Sequence, residues 1–380
     1  MDGSQPGGPQ WIRGVTSRQA HADLPPGTVE EEHGRDGFSG PASHLYRLHP
    51  PTGWSDVDGP VQPHALDPSS LTLDEAPAPL LVNSDVRIST WRPGAGGRGA
   101  DSDGFWRFGD GDALCFVHRG SGVLGTEYGP LRYRAGDYLL IPRTTTHRFD
   151  CDELTELLVV EALEGRIALP DRGMLGRHAL FDPAILEVPE PAPHDEAGEF
   201  EVRLLRNGAM TTITYPFHPF DVVGWKGDLA PWRFNVDDFR PVVSPRYHLP
   251  PSVHTTVIGA GFVVATFAPR PLETDPDALR LPFFHRNVDY DEVIFYHRGE
   301  FFSRAGIEEG MLTWHPFGLH HGPQPGARAR DAAAAANPTG ERRMADEVAV
   351  MIDTRHPLVP GEAAKDLDVE GYARSWRPDA

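Results

Sequence analysis

From Asp85 onward, apolar and polar residues alternate in short runs broken by turns: VRISTW, DALCFVHRGSGVLGTEYG, PLRYRAGDYLLIPRTTTHRF and ELLVVEAL. A period of two over such lengths predicts strands with one buried face, and turn signals this closely spaced predict an antiparallel barrel or sandwich. The same texture returns in SVHTTVIG, GFVVATFA, the stretch Leu281–Gly326 and DEVAVMIDTRHPL. Between the two stretches lie a proline-rich connection over residues 168–200, a strand pair FEVRLLRNGAMTTITYP and an aromatic-rich segment. Asn207-Gly208 in that strand pair is a hairpin-turn signal. RARDAAAAANPTGERRMADE reads as a loop, and EAAKDLDVEGYARSW has a short amphipathic helical pattern. Residues 1–10 read as a loose terminus. The following fifty residues are polar and turn-rich but too aromatic and apolar for disorder, so they are expected to wrap a barrel or a neighbouring subunit.

Composition sharpens this picture. The 380 residues include 38 prolines and 40 glycines, which favour short strands and many turns over long helices. A net charge of -20 argues against nucleic acid or an anionic membrane as partner. Cys115 and Cys151 form no CxxC and are too few for a disulfide scaffold, which fits a reducing cytosol. No secretory leader pattern or long apolar run occurs, so a cytoplasmic location is expected.

Candidate chemistry concentrates in LPFFHRNVDYDEVIFYHRGEFFSRAGIEEGMLTWHPFGLHHGPQPG. His285, Asn287, Glu292 and Gly299 match the first half of the cupin metal motif, and Gly310, Pro316, Gly318 and His321 match the second. Asn287 stands where a second histidine often stands. His285 and Asn287 share a strand face by their spacing, and two imidazoles with one carboxylate form the facial ligand set of non-heme iron. The ligands expected are His285, Glu292 and His321, with Asp291 a rival for the carboxylate. The earlier stretch is a second cupin: Gly136, Pro142 and His147 repeat the closing half-motif. Trp106, Phe108 and Ala113, however, replace His285, Asn287 and Glu292. One imidazole alone holds a divalent ion poorly, so this barrel is read as structural and His147 as a relic or packing residue. His33, His44 and His49 lack metal spacing and are read as surface or packing residues.

The fold class expected is therefore all-β, a bicupin of two double-stranded barrels with a wrapping N-terminal segment and a short C-terminal helix. The boundaries are an extended segment over 1–60, a metal-free barrel over 61–180, and connecting strands with an aromatic-rich loop over 181–245. A catalytic barrel over 246–358 and a tail over 359–380 complete the chain.

Over roughly residues 40–358 the chain also resembles the homogentisate 1,2-dioxygenase family. The matching stretches are HRN at His285–Asn287, WHPFGLHHGP with His315 and His321, FHPFDVVGWKGDLAPWRFN, and VAVMIDT. The resemblance implies Fe(2+) on His285, Glu292 and His321, with His248 taking the phenolic proton and His315 near substrate and dioxygen. It implies a homo-oligomer that opens the ring of a small aromatic acid with O2, homogentisate to maleylacetoacetate. Family members carry the carboxylate six positions after the HRN histidine, where this chain has Asp291. Their substrate tyrosine falls in the region of Phe301 and Phe302, so Tyr296 is the nearest tyrosine. Tyr296, Asn287, Arg298 and Arg286 are the candidate substrate contacts. The alternatives are ring cleavage of a gentisate-like or hydroxyanthranilate-like compound, a metal-dependent isomerase or hydrolase, and a non-catalytic bicupin binding protein.

Overall fold

The computed structural model describes residues 11–377 apart from 72–75, 95–103, 280–282, 302, 305 and 337–343. The loose terminus 1–10, Phe302 and part of the expected 328–347 loop fall outside the described residues. Nearly all regular structure is β, arranged as two barrels. The first barrel is built from a seven-stranded and a six-stranded sheet. The second is built from another six-stranded sheet facing a three-stranded one.

The central strands explain why their sequences are continuous apolar runs rather than clean alternations. Asp112–Arg119, Asp137–Ile141, Asp291–Arg298 and Val348–Thr354 are buried on both faces for almost their whole length. One face lines a barrel. The other joins a shared core in which Leu114, Phe116, Tyr138, Leu158 and Val160 pack with Val264, Val293, Phe295, Val350 and Ile352. The barrels are thus stacked sheet on sheet, with one hydrophobic layer common to both.

Corresponding glycines turn corresponding hairpins. Gly120 and Gly299 both have positive φ, and a Cβ at either would lie 2.5 Å from a neighbouring oxygen, so a side chain is excluded on conformation and on space.

Some elements cross the boundaries expected from sequence. His64–Leu66 pairs with Leu312–His315 and extends the second barrel, whereas Val359–Pro360 pairs with Leu81 and Val82 in the first. Trp232–Asn235 and the hairpin Ala197–Arg206/Ala209–Phe217 also extend sheets of the first barrel. Asn207 and Gly208 take φ 50 and 71, the left-handed pair of a tight hairpin turn. Pro325–Ala336 is an α-helix where a loop is expected; its alanine run has high intrinsic helix propensity. The tail carries two 3-10 turns, Glu362–Ala364 and Tyr372–Arg374.

The N-terminal segment does wrap a barrel. Val29–Gly34 runs parallel to Phe284–Asn287 with Glu32 opposite His285, and Ala42–Arg47 pairs on its outer side. No described helix is long and apolar enough to cross a membrane.

Candidate metal centre

His285 stands on Phe284–Asn287, Glu292 on the next strand, and His321 in the loop after Leu312–His315, tied to His285 by reciprocal backbone hydrogen bonds. One donor atom from each lies within 4.8 Å of the others, and all three residues are buried. His285 Nε2 is 3.3 Å from Glu292 Oε2, and His321 Nε2 is 3.5 Å from Glu292 Oε1. Their tautomers are set from behind. His285 Nδ1 faces the Phe283 carbonyl at 3.2 Å and His321 Nδ1 the Leu319 carbonyl at 3.3 Å. A carbonyl only accepts, so both Nδ1 atoms carry hydrogen and both Nε2 lone pairs point inward. That is the usual outer-sphere arrangement of metal-binding histidine.

The electrostatics suit a cation. His321 Nε2 is buried without a hydrogen-bond partner. Burial, with the neighbouring His285, pushes His321 down to about 3, so it is neutral and able to ligate at neutral pH. Burial alone would raise the Glu292 carboxyl. The ring of imidazoles around it, His321, His285 and His315, outweighs burial and holds Glu292 well below the usual carboxylate range. A bare carboxylate between two inward lone pairs is a donor set that fits a divalent ion.

Asp291 points the opposite way. It accepts from Trp314 Nε1 (3.1 Å) and from the backbone N–H groups of Phe317 and Leu358 (2.9 Å each). The shorter spacing to the carboxylate thus belongs to a structural aspartate, because adjacent strand residues face opposite sides.

His315 is in contact with the cluster but fully committed. Its Nδ1 bonds Glu292 Oε1 at 2.9 Å, its Nε2 faces the Tyr372 hydroxyl at 3.3 Å, and its ring stacks on His321 at 4.6 Å. With both nitrogens occupied it positions Glu292 and has no free nitrogen for substrate, a correction to its expected role. His248 lies outside the cluster, one aromatic ring away: Phe283 stands 6.2 Å from His248 and 5.6 Å from His285. His248 Nδ1 bonds Glu273 Oε1 at 2.9 Å. Asn287 is buried beside His285, and its Nδ2 has no partner. Tyr296 lies deeper in the same barrel, its hydroxyl 3.1 Å from Thr313 Oγ1 and its ring on Phe301. Arg298 is not brought to the site: a strand irregularity between Tyr296 and Arg298 interrupts the alternation, and Arg298 pairs with Asp237 at the surface. Arg286 likewise faces outward, bonded to His33 and near Glu31.

Several residues of the centre had no sequence spacing to reveal them. Asp353 is directly across the ladder from Glu292 and fully buried. Its Oδ1 has no partner, and burial together with the Glu292 charge pushes its carboxyl well up. Phe38, from the wrapping segment, meets His285 edge-on at 4.9 Å. Tyr372 and Trp376 close the far side from the tail, and Trp376 Nε1 donates to the Gly322 carbonyl at 3.0 Å. Arg304 is a buried guanidinium bonded to the Gly322 and Ser303 carbonyls; among the described residues no carboxylate pairs with it. A cavity of about 340 Å³ is lined in part by Phe38 and Asp353, neighbours of His285 and Glu292, and by Ser252, Val263 and Met351, but by none of the three candidate ligands.

Two stacked cupin barrels, one of them holding a buried two-histidine, one-carboxylate cluster, define a bicupin with a metal-type centre in its C-terminal barrel. Residues 100–236 match the description "Homogentisate 1,2-dioxygenase N-terminal", and residues 242–379 match "Homogentisate 1,2-dioxygenase C-terminal". The chain is 32% identical over 370 residues to the "Putative dioxygenase" of Saccharolobus solfataricus, covering 91% of this chain and 92% of that one. The chain belongs to the homogentisate 1,2-dioxygenase family. Similar solved structures are distant. They include a mutant of Bacillus subtilis oxalate decarboxylase OxdC (12% identity, TM-score 0.36, 82% of this chain and 81% of that). Another is salicylate 1,2-dioxygenase from Pseudaminobacter salicylatoxidans (11% identity, TM-score 0.33, 72% and 71%).

Proposed function

We propose that this protein is an Fe(II)-dependent ring-cleaving dioxygenase that opens a hydroquinone-like aromatic acid, homogentisate, to maleylacetoacetate. The observation that carries the reading is the buried convergence of His285, Glu292 and His321, whose neighbours Phe38 and Asp353 line a cavity of about 340 Å³. Two imidazoles and one carboxylate are the ligand set that leaves positions open on Fe(II) for substrate and dioxygen, and the cavity falls within the ~300–1,000 Å³ of ordinary ligand sites. When bound there, iron supplies a seat for a phenolate oxygen and electron exchange with dioxygen.

The remaining work falls to the chain's own side chains. His248 takes the phenolic proton at Nε2, because Glu273 holds the other ring nitrogen as a donor and balances the imidazolium that forms. His315 orients the Glu292 carboxylate. Asn287 offers its unpartnered amide N–H to a substrate oxygen. Phe38, Phe283 and Met351 form apolar walls that keep water out. Arg304, buried without a carboxylate partner on the tail side of the barrel, replaces Arg298 and Arg286 as the cation for the substrate's carboxylate.

Anaerobic reconstitution with Fe(II), followed by oxygen uptake on homogentisate, gentisate and hydroxyanthranilate, tests the proposal. Stoichiometric oxygen consumption, fastest with homogentisate, is expected. Faster uptake with another phenol would replace the substrate and keep the chemistry. Metal binding without uptake on any of them would leave a non-catalytic binding protein.

A further inference from the structure

A second cluster of ligating side chains lies in the wrapping segment, away from the triad. His21, Glu30 and His44 each bring one donor atom to within 4.8 Å of the others. Glu30 and Glu32 share one face of the strand Val29–Gly34, and His44 sits directly across the ladder from Glu32. His21 arrives from a separate turn, pinned by hydrogen bonds from its own N–H to Glu30 Oε2 (2.9 Å) and from the Leu279 N–H to its carbonyl (2.9 Å).

The donor atoms converge, and the nearest approach among them is the His44–Glu30 pair. His21 Nε2, Glu30 Oε1 and His44 Nδ1 are all buried and all lack a hydrogen-bond partner of acceptable geometry. This holds although His44 Nδ1 is only 3.0 Å from Glu30 Oε1, and His21 Nε2 only 3.5 Å from Glu32 Oε2. His21 is 3% exposed and Glu30 2%, so water does not satisfy them. The His21 tautomer is also decided: Nδ1 donates to the His248 carbonyl at 2.7 Å. With that hydrogen committed, His21 directs Nε2 toward the Glu30 and Glu32 carboxylates, where a bound cation would satisfy all three. The same backbone-anchored Nδ1–H stands behind His285 and His321 in the catalytic barrel, and it is how metal-binding histidines are held. Charge points the same way. Glu31, on the opposite face, is paired with Arg47, Arg286 and His320, whereas among the described residues the ion-pair partners of Glu30 and Glu32 are His44 and His21. Two buried carboxylates facing only imidazoles are matched by a divalent ion.

We propose that His21 Nε2, Glu30 Oε1 and His44 Nδ1 bind a structural divalent cation of the zinc class, with Glu32 Oε2 as a fourth donor. Two imidazoles and two carboxylates suit tetrahedral Zn²⁺. The site joins three separate pieces of chain: the turn at His21, the strand pair 29–47 and, through the His248 carbonyl, the loop that carries His248. The His21 ring stacks on Phe283 at 4.0 Å, and Phe283 is the ring that touches His285. A bound ion would thus lock the wrapping segment against the wall of the catalytic barrel.

The test uses the full chain with His285→Ala and His321→Ala, so that the catalytic triad no longer contributes. After equilibration with Zn²⁺ and removal of excess, elemental analysis is expected to find stoichiometric zinc. Adding Glu30→Gln or His44→Ala should lower zinc affinity by more than the ~10–100-fold that loss of an outer-sphere partner costs. The intact chain, loaded with iron, provides the second measurement: zinc should be retained beside iron and lost in Glu30→Gln while iron stays. Absence of zinc in both proteins, or zinc unchanged by Glu30→Gln and His44→Ala, overturns the proposal and leaves an imidazolium–carboxylate network. Neither readout depends on turnover, so the result stands apart from the proposed activity.

Discussion

The two barrels are built alike, and their ladders can be compared position by position. In the second, Glu292 lies between His315 and Asp353 on neighbouring strands. In the first, Ala113 lies between Ile141 and Glu161. His285 and Asn287 correspond to Trp106 and Phe108, and those rings pack with Trp91, Phe149 and Leu124 into a filled interior. His147 remains at the position of His321, but it is buried against Phe108 and bonded only to the Thr145 carbonyl. The acid of the third strand differs most tellingly. Glu161 is opposite Arg87 and paired with it at 3.1 Å, whereas Asp353 is opposite Val263 and has no cation. The first barrel has replaced or paired these polar groups by local packing, His147 Nε2 being the exception that stays buried without a partner. The second leaves several unsatisfied, a state that is costly for structure alone and is expected where an ion and a ligand are to be held.

The sharpest way to break this comparison is to delete the carboxylate. Glu292→Ala is expected to abolish iron retention and oxygen uptake together, while His147→Gln in the first barrel leaves both intact. Metal analysis beside oxygen uptake reads the outcome, and loss of iron in His147→Gln would mean that the first barrel binds metal after all. Next in size, His248→Asn should keep iron and fold yet lose turnover by the ~10²–10⁴-fold typical of a general base; turnover within a few-fold of wild type would remove His248 from the chemistry. Asp353→Asn, made where no arginine compensates, should weaken iron binding by the ~10–100-fold of an outer-sphere change, measured by chelator competition.

Asp291→Asn should do the reverse of Glu292→Ala. Iron is retained, and denaturant melts report a stability loss of about 1–3 kcal/mol, because an amide cannot accept from all three donors that Asp291 satisfies.

The smallest expected effect is a pH dependence common to both barrels. Burial pushes His118 down to about 3 and His147, His254 and His297 down to about 4 from the usual 6.5. These folded values are depressed, so the unfolded chain binds more protons below pH 6.5. Stability should be flat above that pH and fall progressively as pH drops from 6.5 toward 4. A melting temperature unchanged over that window would show that these histidines are not held neutral.

How much of this was legible in advance depends on the distance over which each feature is specified. The bicupin architecture, the three candidate ligands and the blocked first barrel are written in local spacing. Strand alternation and obligatory turn glycines such as Gly120 and Gly299 fix which side chains share a face within one hairpin. The choice of Glu292 over Asp291 follows from the same alternation. Arg298 shares the parity of Glu292 and Tyr296, so alternation alone places it inward; the register shift between Tyr296 and Arg298, which local spacing does not show, turns it out to Asp237. His315 was recognised near the centre, but its partner Tyr372 lies in the tail, so its two occupied nitrogens could not be read locally.

Tertiary structure alone decided the rest. Val29–Gly34 pairs in parallel with a strand some 250 residues away, and that register brings the segment carrying Phe38 against His285. Asp353 meets Glu292, and Arg304 reaches Gly322, through strand pairing and loop closure between distant segments. Local spacing carries no record of such meetings, because a strand's own period says which residues face inward and nothing about which strand will lie beside it.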